Sequence, residues 1–221
     1  MSQDQTKRRY NSTRRQIQAR ETRRHILETA RRLFTTRGYA GATMEALAQE
    51  AGVAVETVYG AFGSKRAVLT SLVDLAVGGD EQPIPLLERP GPQRVRSESD
   101  QRLQMRLFAH DIAQIMERVG PLFEVMRSAA PNEPEIAALL QRLLAERRES
   151  MAVFVEWVAR NGPLRADLSR DTAADTVWTL SSAEVHHLLR VDRNWTIERY
   201  EQWLGDILIT VLLPPDAAAS E

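Results

Sequence analysis

Eleven lysine and arginine side chains fall within residues 1–37, against only Asp4, Glu21 and Glu28. The chemistry open to such a cluster is neutralisation of a polyanion. The other residues carry eighteen basic and twenty-seven acidic side chains, so the net charge of −1 conceals a basic end on a mildly acidic body. His110 beside Asp111 and His186 beside His187 are the other groups whose type suggests chemistry. Neighbours on a helix point about 100° apart, so adjacent histidines do not readily chelate one ion, and no metal site is expected. The absence of cysteine excludes disulfides, thiolate metal sites and cysteine nucleophiles. The carboxylates are dispersed. There is no zinc-protease helix motif, phosphate-binding glycine loop, dinucleotide fingerprint or serine elbow. We therefore expect no catalytic residues and no cofactor, and the chain does not read as an enzyme.

The elements that must position the basic cluster follow from its periodicity. Residues 1–18 are polar, arginine-rich and without an apolar stripe, and read as a disordered basic arm. Ile26, Leu27, Ala30, Leu33 and Phe34 then mark one face of a helix that Gly38 is placed to stop. Thr43 can cap a short helix carrying Met44, Leu47, Ala48 and Ala51, which Gly52 ends. A third short pattern holds Val55, Val58, Tyr59 and Phe62, and Ser64 can cap a fourth helix with Val68, Leu69, Leu72, Val73 and Ala76. Glycines and prolines break every pattern over 79–98, which reads as a linker. Helices are expected over roughly 99–118, 121–129, 133–160, 170–191 and 196–213, with a tail at 214–221. The fold class is all-α, and 19–78 and 99–213 read as its two domains. The longest aliphatic run, Ile207 to Leu213 interrupted by Thr210, is far short of the ~20 residues that cross a bilayer. The basic start leads into no apolar signal segment, so the expected location is cytoplasmic.

Two short helices around a glycine-centred turn, Thr43–Ala51 and Val55–Phe62, have the spacing of a helix-turn-helix, whose second helix fits the DNA major groove. The ordered run Ile26-Leu27, Ala30, Leu33-Phe34, Gly38-Tyr39, Thr43-Met44, Leu47-Ala48, Ala51-Gly52-Val53, Thr57-Val58-Tyr59, Phe62, Ser64-Lys65, Leu69 resembles the N-terminal domain of the tetracycline-repressor (TetR) family of bacterial transcription regulators. Ala173–Trp178, followed by Asn194-Trp195-Thr196, Tyr200 and Trp203-Leu204, resembles the last two helices of many members.

The resemblance implies a homodimer on a palindromic operator, released by a small hydrophobic effector that binds the C-terminal domain. It implies that such a protein is associated with the nucleoid when bound to DNA. Carried over by position, Thr43 contacts phosphate, Ala54, Val55 and Thr57 face base edges, Tyr59 reaches phosphate or a base, and Lys65 clamps phosphate. Arg8, Arg9, Arg14 and Arg15 resemble arms that enter the minor groove. The chain departs from the family where Ala54 replaces a capping Ser or Thr, Gly60 and Ala61 replace larger side chains, and Gly63 replaces a frequent proline. A small, apolar recognition surface suggests readout by thymine methyl contact and DNA shape.

In the C-terminal half, Tyr200, Trp203, Leu204, Ile207, Leu208 and Val211 form one apolar stripe, and Val177 belongs to a second on the preceding helix. These suit a dimer seam closed as a four-helix bundle, or the core of one chain. Phe108, Ile112, Met116, Phe123, Met126, Phe154, Trp157 and Trp178 can line an effector pocket or be plain core. The competing function is a helical module that binds small molecules without reading DNA sequence.

Overall fold

The computed structural model describes the backbone of residues 3–215 and the side chains of residues 15–215. Every regular element among the described residues is helical. Helix α1 (Gln3–Gly41) is long because no glycine or proline interrupts Gln3 to Arg37, and arginine and glutamine are good helix formers. It takes in residues 3–18, where an arm without helical structure was expected. The side chains of Arg8, Arg9 and Arg14 lie outside the described residues. Gly38, at φ 68° and ψ 177°, ends the regular helical path as its position suggests.

Helix α2 (Met44–Ala51) starts at Thr43, whose Oγ1 accepts the Ala46 N–H at 3.1 Å, and ends at Gly52 in the left-handed region. Helices α3 (Val55–Phe62) and α4 (Lys65–Gly78) follow, and the Ser64 hydroxyl caps α4 by accepting the Ala67 N–H at 3.2 Å. Ile26, Ala30, Phe34, Leu47, Val58 and Leu69 are fully buried and form the shared core of these helices.

The 79–98 segment is more ordered than expected. It holds a single 3-10 turn (Leu86–Glu88) and helix α5 (Pro90–Ser97), whose proline occupies a first-turn position that needs no N–H donor. Gly91 lets α5 close on the next helix, since a Cβ there would sit 2.5 Å from Asp111 Oδ2. Helix α6 (Gln101–Ala129) runs straight through Pro121, where two helices were expected. Pro121 faces solvent while Val119, Leu122, Phe123 and Met126 are buried, so packing on both sides outweighs the roughly 3 kcal/mol penalty of an internal proline.

Helix α7 (Pro134–Asn161) is followed by α8 (Arg170–Leu180), α9 (Ala183–His187), a π-helical turn (Leu188–Asp192) and α10 (Ile197–Leu212). The expected single helix over 170–191 is broken because Ser182 caps a new start, its Oγ accepting the Val185 N–H at 3.2 Å. Helix α6 is the spine, in contact with α1, α4, α5, α7, α9 and α10.

Candidate nucleic-acid interface and ligand cleft

Helix α3 turns one side chain, Val58, fully into the core and leaves Ala54, Glu56, Thr57, Tyr59 and Gly60 exposed, with Val55 half-buried. Tyr59 is 46% exposed, one of the few large apolar side chains left open to solvent among the described residues. Ala54 is the N-cap of α3 and makes no side-chain cap; the Thr57 N–H donates to the Ala54 carbonyl at 3.0 Å, and the N–H groups of Val55 and Glu56 have no side-chain cap. Gly63 closes α3 at φ 75°, a value closed to the proline frequent in relatives. Thr43 is exposed at the N-terminus of α2, where orphan N–H groups and the helix dipole favour an anion.

Lys65 stands at the start of α4, but its Nζ donates to the Tyr39 carbonyl at 2.9 Å and lies 4.0 Å from the Tyr39 ring centroid. Burial lowers its ammonium below the ordinary lysine range, with the charge of Glu133 opposing. This ammonium is already tied to the end of α1. Arg15 is exposed and lines a groove of about 640 Å³ between α1 and α3, with Thr57, Gly60 and Ala61 on the far wall. Arg23 was missed in the sequence. It donates to the Ala61 carbonyl at 2.6 Å and to Ser71 Oγ at 2.9 Å, with its guanidinium 4.1 Å from the Phe62 ring centroid. A cation at the C-terminal carbonyls of α3 complements the helix dipole and fixes the helix against α1 and α4.

A cleft of about 1130 Å³ opens where the N-terminal helices meet the rest of the chain. Its walls come from α1 (Leu27), α4 (Val73, Val77), the 80–89 segment, α6 and α7. On α6 the lining residues are Ile112, Ile115, Met116, Val119 and Phe123; on α7 they include Leu143, Arg147 and Met151. Of the eight residues expected to line a pocket, the structure brings Ile112, Met116 and Phe123 to this cleft. The other five are elsewhere: Phe108 stacks on Phe154 with centroids 3.9 Å apart, Met126 is fully buried, Trp157 is half-buried against the core, and the half-buried Trp178 donates Nε1–H to the Leu144 carbonyl at 3.2 Å. Aromatic and Met side chains were given to the pocket by type, but dense packing claims most of them.

The 80–89 segment is held over the cleft by Arg89, which donates to the carbonyls of Gly78 (2.6 Å), Ile84 (3.1 Å) and Gln82 (2.9 Å) and to Asp80 Oδ1 (3.0 Å). Gly78 permits this approach, since a Cβ there would lie 2.7 Å from Arg89 Nη2. Arg118 Nε donates to the Ala76 carbonyl at 2.8 Å and Arg31 donates to the Arg118 carbonyl, so α1, α4 and α6 are joined by backbone carbonyls rather than ion pairs.

The seven residues expected at a dimer seam divide by face. Val177, Tyr200, Leu204 and Leu208 are fully buried within the single chain, which favours the alternative that they form its core. Helix α10 wraps its 200-204-208 line onto α6, and a 3.6-residue period leaves Trp203, Ile207 and Val211 half-buried on its flank. His186 and His187 face different carboxylates, Glu117 and Glu124 respectively, and His110 Nδ1 lies 2.9 Å from Glu201. Among the described residues no group of three or more metal-binding side chains gathers, and no helix is long and apolar enough to cross a membrane.

Residues 26–72 match the family model described as bacterial regulatory proteins, tetR family. The chain is similar to the HTH-type transcriptional repressor BepR of Brucella suis biovar 1 (strain 1330), with 25% identity over 186 residues that cover 81% of this chain and 86% of that protein. Its fold is similar to that of a TetR-family regulator from Syntrophomonas wolfei, with a TM-score of 0.69 at 16% identity over 86% of this chain and 94% of the other. It is also similar to SmeT solved in complex with triclosan, with a TM-score of 0.66 at 19% identity over 89% of this chain and 93% of the other.

Proposed function

We propose that the chain is a DNA-binding transcription regulator of the TetR type, a repressor that binds a palindromic operator as a homodimer and lets go when a small apolar molecule fills the cleft; the match of residues 26–72 to the tetR family model and the likeness to BepR support this reading. The observation that carries this reading is the shared wall: α1 and α4, which hold α3 through Arg23, also line the cleft. A ligand that separates α6 and α7 from α1 and α4 therefore acts on the helices that aim α3. Such a ligand shifts the equilibrium only by the difference in its affinity for the two arrangements.

In this reading α3 enters the major groove. Val55, Thr57 and Tyr59 face bases or phosphate, the N-terminal ends of α2 and α3 meet phosphates, and Arg15 with Arg14 follows the backbone or the adjacent minor groove. Lys65 acts instead as the strut that sets α4 against α1. Trp203, Ile207 and Val211 meet the symmetry mate. SmeT has been solved with a small apolar phenol, triclosan, which supports an effector role for the cleft by analogy of fold. A family member bound to DNA is expected in the cytoplasm on the nucleoid.

Fluorescence anisotropy on the duplexes flanking the protein's own coding region, against a scrambled duplex and across a salt series, tests the reading. Selective binding whose affinity falls steeply with salt is expected. Equal, weak binding to both duplexes overturns it.

A further inference from the structure

Helix α7 carries an apolar line, Leu140, Leu143, Met151, Phe154 and Val158, with one charged residue in register among them, Arg147. Arg147 lines the cleft. Its Nη2 donates to the Trp178 carbonyl at 2.6 Å and to Ser181 Oγ at 2.8 Å, and the guanidinium stands 5.4 Å from the Trp178 ring centroid. All of these partners are neutral. Its Nε is buried and meets no acceptor among the described residues.

A buried cation normally has an anion beside it, because leaving the charge uncompensated in low dielectric is costly. Here none is present. The charges that bear on Arg147 are Arg127, which repels it, and Tyr200. Tyr200 cannot serve as a counter-charge, because burial pushes its hydroxyl well above the ordinary tyrosine range and keeps it protonated. Burial lowers Arg147 to about 10, which still leaves it cationic at neutral pH. The carboxylates of the cleft are on its rim and are partly occupied: Asp80 pairs with Arg89 at 3.0 Å, and Glu146 with Arg142 at 3.4 Å. Asp74 and Glu81 are exposed at the same rim.

We infer that the cleft takes an amphipathic organic acid: an apolar body against Ile112, Ile115, Met116 and Phe123, and a carboxylate, sulfonate or phenolate that enters past the charged rim to meet Arg147. The inference rests on the reading of the cleft as a ligand site and adds the chemical class of the ligand. The rim carries both signs, Arg20, Arg23 and Arg89 beside Asp74, Glu81 and Glu146, so the orientation rests on Arg147, the one arginine of the cleft with a buried N–H that meets no acceptor among the described residues. A guanidinium with an unspent N–H offers a charge-assisted hydrogen bond there, and the surrounding low dielectric strengthens it.

The test uses two fluorescent probes of one scaffold, 8-anilinonaphthalene-1-sulfonate and uncharged N-phenyl-1-naphthylamine, titrated into the purified full-length protein. The wild type is expected to bind the sulfonate about tenfold more tightly than the neutral probe. Arg147→Gln is expected to bind the two alike, and Met116→Trp, which fills the apolar floor, to bind neither. Equal affinity in the wild type, a preference that survives Arg147→Gln, binding untouched by Met116→Trp, or no binding of either probe overturns the inference. Where Arg147→Gln does not fold, as judged by circular dichroism, competition on the wild type carries the test. Decanoate is expected to displace the sulfonate probe where decanol at the same concentration does not, and equal displacement overturns the inference. An operator duplex added to the same titration separates the two claims. A sulfonate held through Arg147 that leaves the duplex bound sustains the acid site and removes release by ligand. Release that is indifferent to Arg147 does the reverse.

Discussion

Helices α3 and α10 are both short amphipathic segments, yet they are held in place by opposite means. Helix α10 buries Tyr200, Leu204 and Leu208 completely against α6, with the His110–Glu201 and Arg106–Asp206 pairs at the exposed edge of the same contact. Helix α3 buries only Val58 completely, and it is pinned at its end by Arg23 on the Ala61 carbonyl, next to the turn at Gly63. Apolar packing is short-ranged and unforgiving of displacement, because a void of half an ångström already forfeits much of the contact energy. A few hydrogen bonds to backbone carbonyls let a helix keep its shape while its angle changes. The contrast teaches that α3, the helix that the proposed function places on DNA, is held by fewer fully buried side chains than α10.

The largest effect is expected where α10 is broken. Leu208→Glu places a charge in the core and should cost at least about 3 kcal/mol. Chemical denaturation is expected to show a destabilised or unfolded chain, not a folded monomer. Ile207→Glu, on the half-buried flank of the same helix, should leave the melting temperature nearly unchanged and yield monomers in sedimentation. A dimer that persists would move the partner contact to another face. Arg23→Ala then tests the polar pin: operator affinity is expected to fall about tenfold while global stability changes little, since the side chain holds α3 and not the core. Unchanged affinity would mean that α3 needs no such brace.

Smaller effects sharpen the same contrast. Ala54→Ser supplies the missing cap and should add about 1 kcal/mol of stability, read by denaturant midpoint, while it competes with phosphate for the first-turn N–H groups. His186 is buried on the α10 side, edge-on to Tyr200, and faces Glu117, Arg190 and His187. Burial holds its imidazole below the ordinary histidine range, against the pull of Glu117. The unfolded chain therefore binds the proton more readily. The contribution is fully present above about pH 6.5 and is lost as pH falls from there through the folded value. His186→Gln is expected to flatten the stability profile just below pH 6.5, and an unaltered slope would show that another group titrates there.

What could be read in the sequence follows the same division. The helix-turn-helix was legible because its signals are local: Thr43, Gly52 and Ser64 are caps and stops whose partners lie within four residues. Pro121 misled for the same reason, since a local rule says nothing of the packing on either side of it. The cleft was not legible, because α1, α4, the 80–89 segment, α6 and α7 meet only in the folded chain, and Arg23 reaches Ala61 across 38 positions. The one cue on the page was a charge inside an apolar line, Arg147 on α7. It outweighs the aromatic content that first drew the pocket to Phe108, Phe154 and Trp178.

Arg89 bonds three backbone carbonyls and one carboxylate through a single guanidinium, with Gly78 clearing the space it needs. Those four bonds share one donor group, so Arg89→Ala is expected to loosen residues 80–86 together, with Gln93 still holding the Leu87 carbonyl. If the cleft takes a ligand as proposed, the exchange rate is then set at Arg89 and the affinity at the floor.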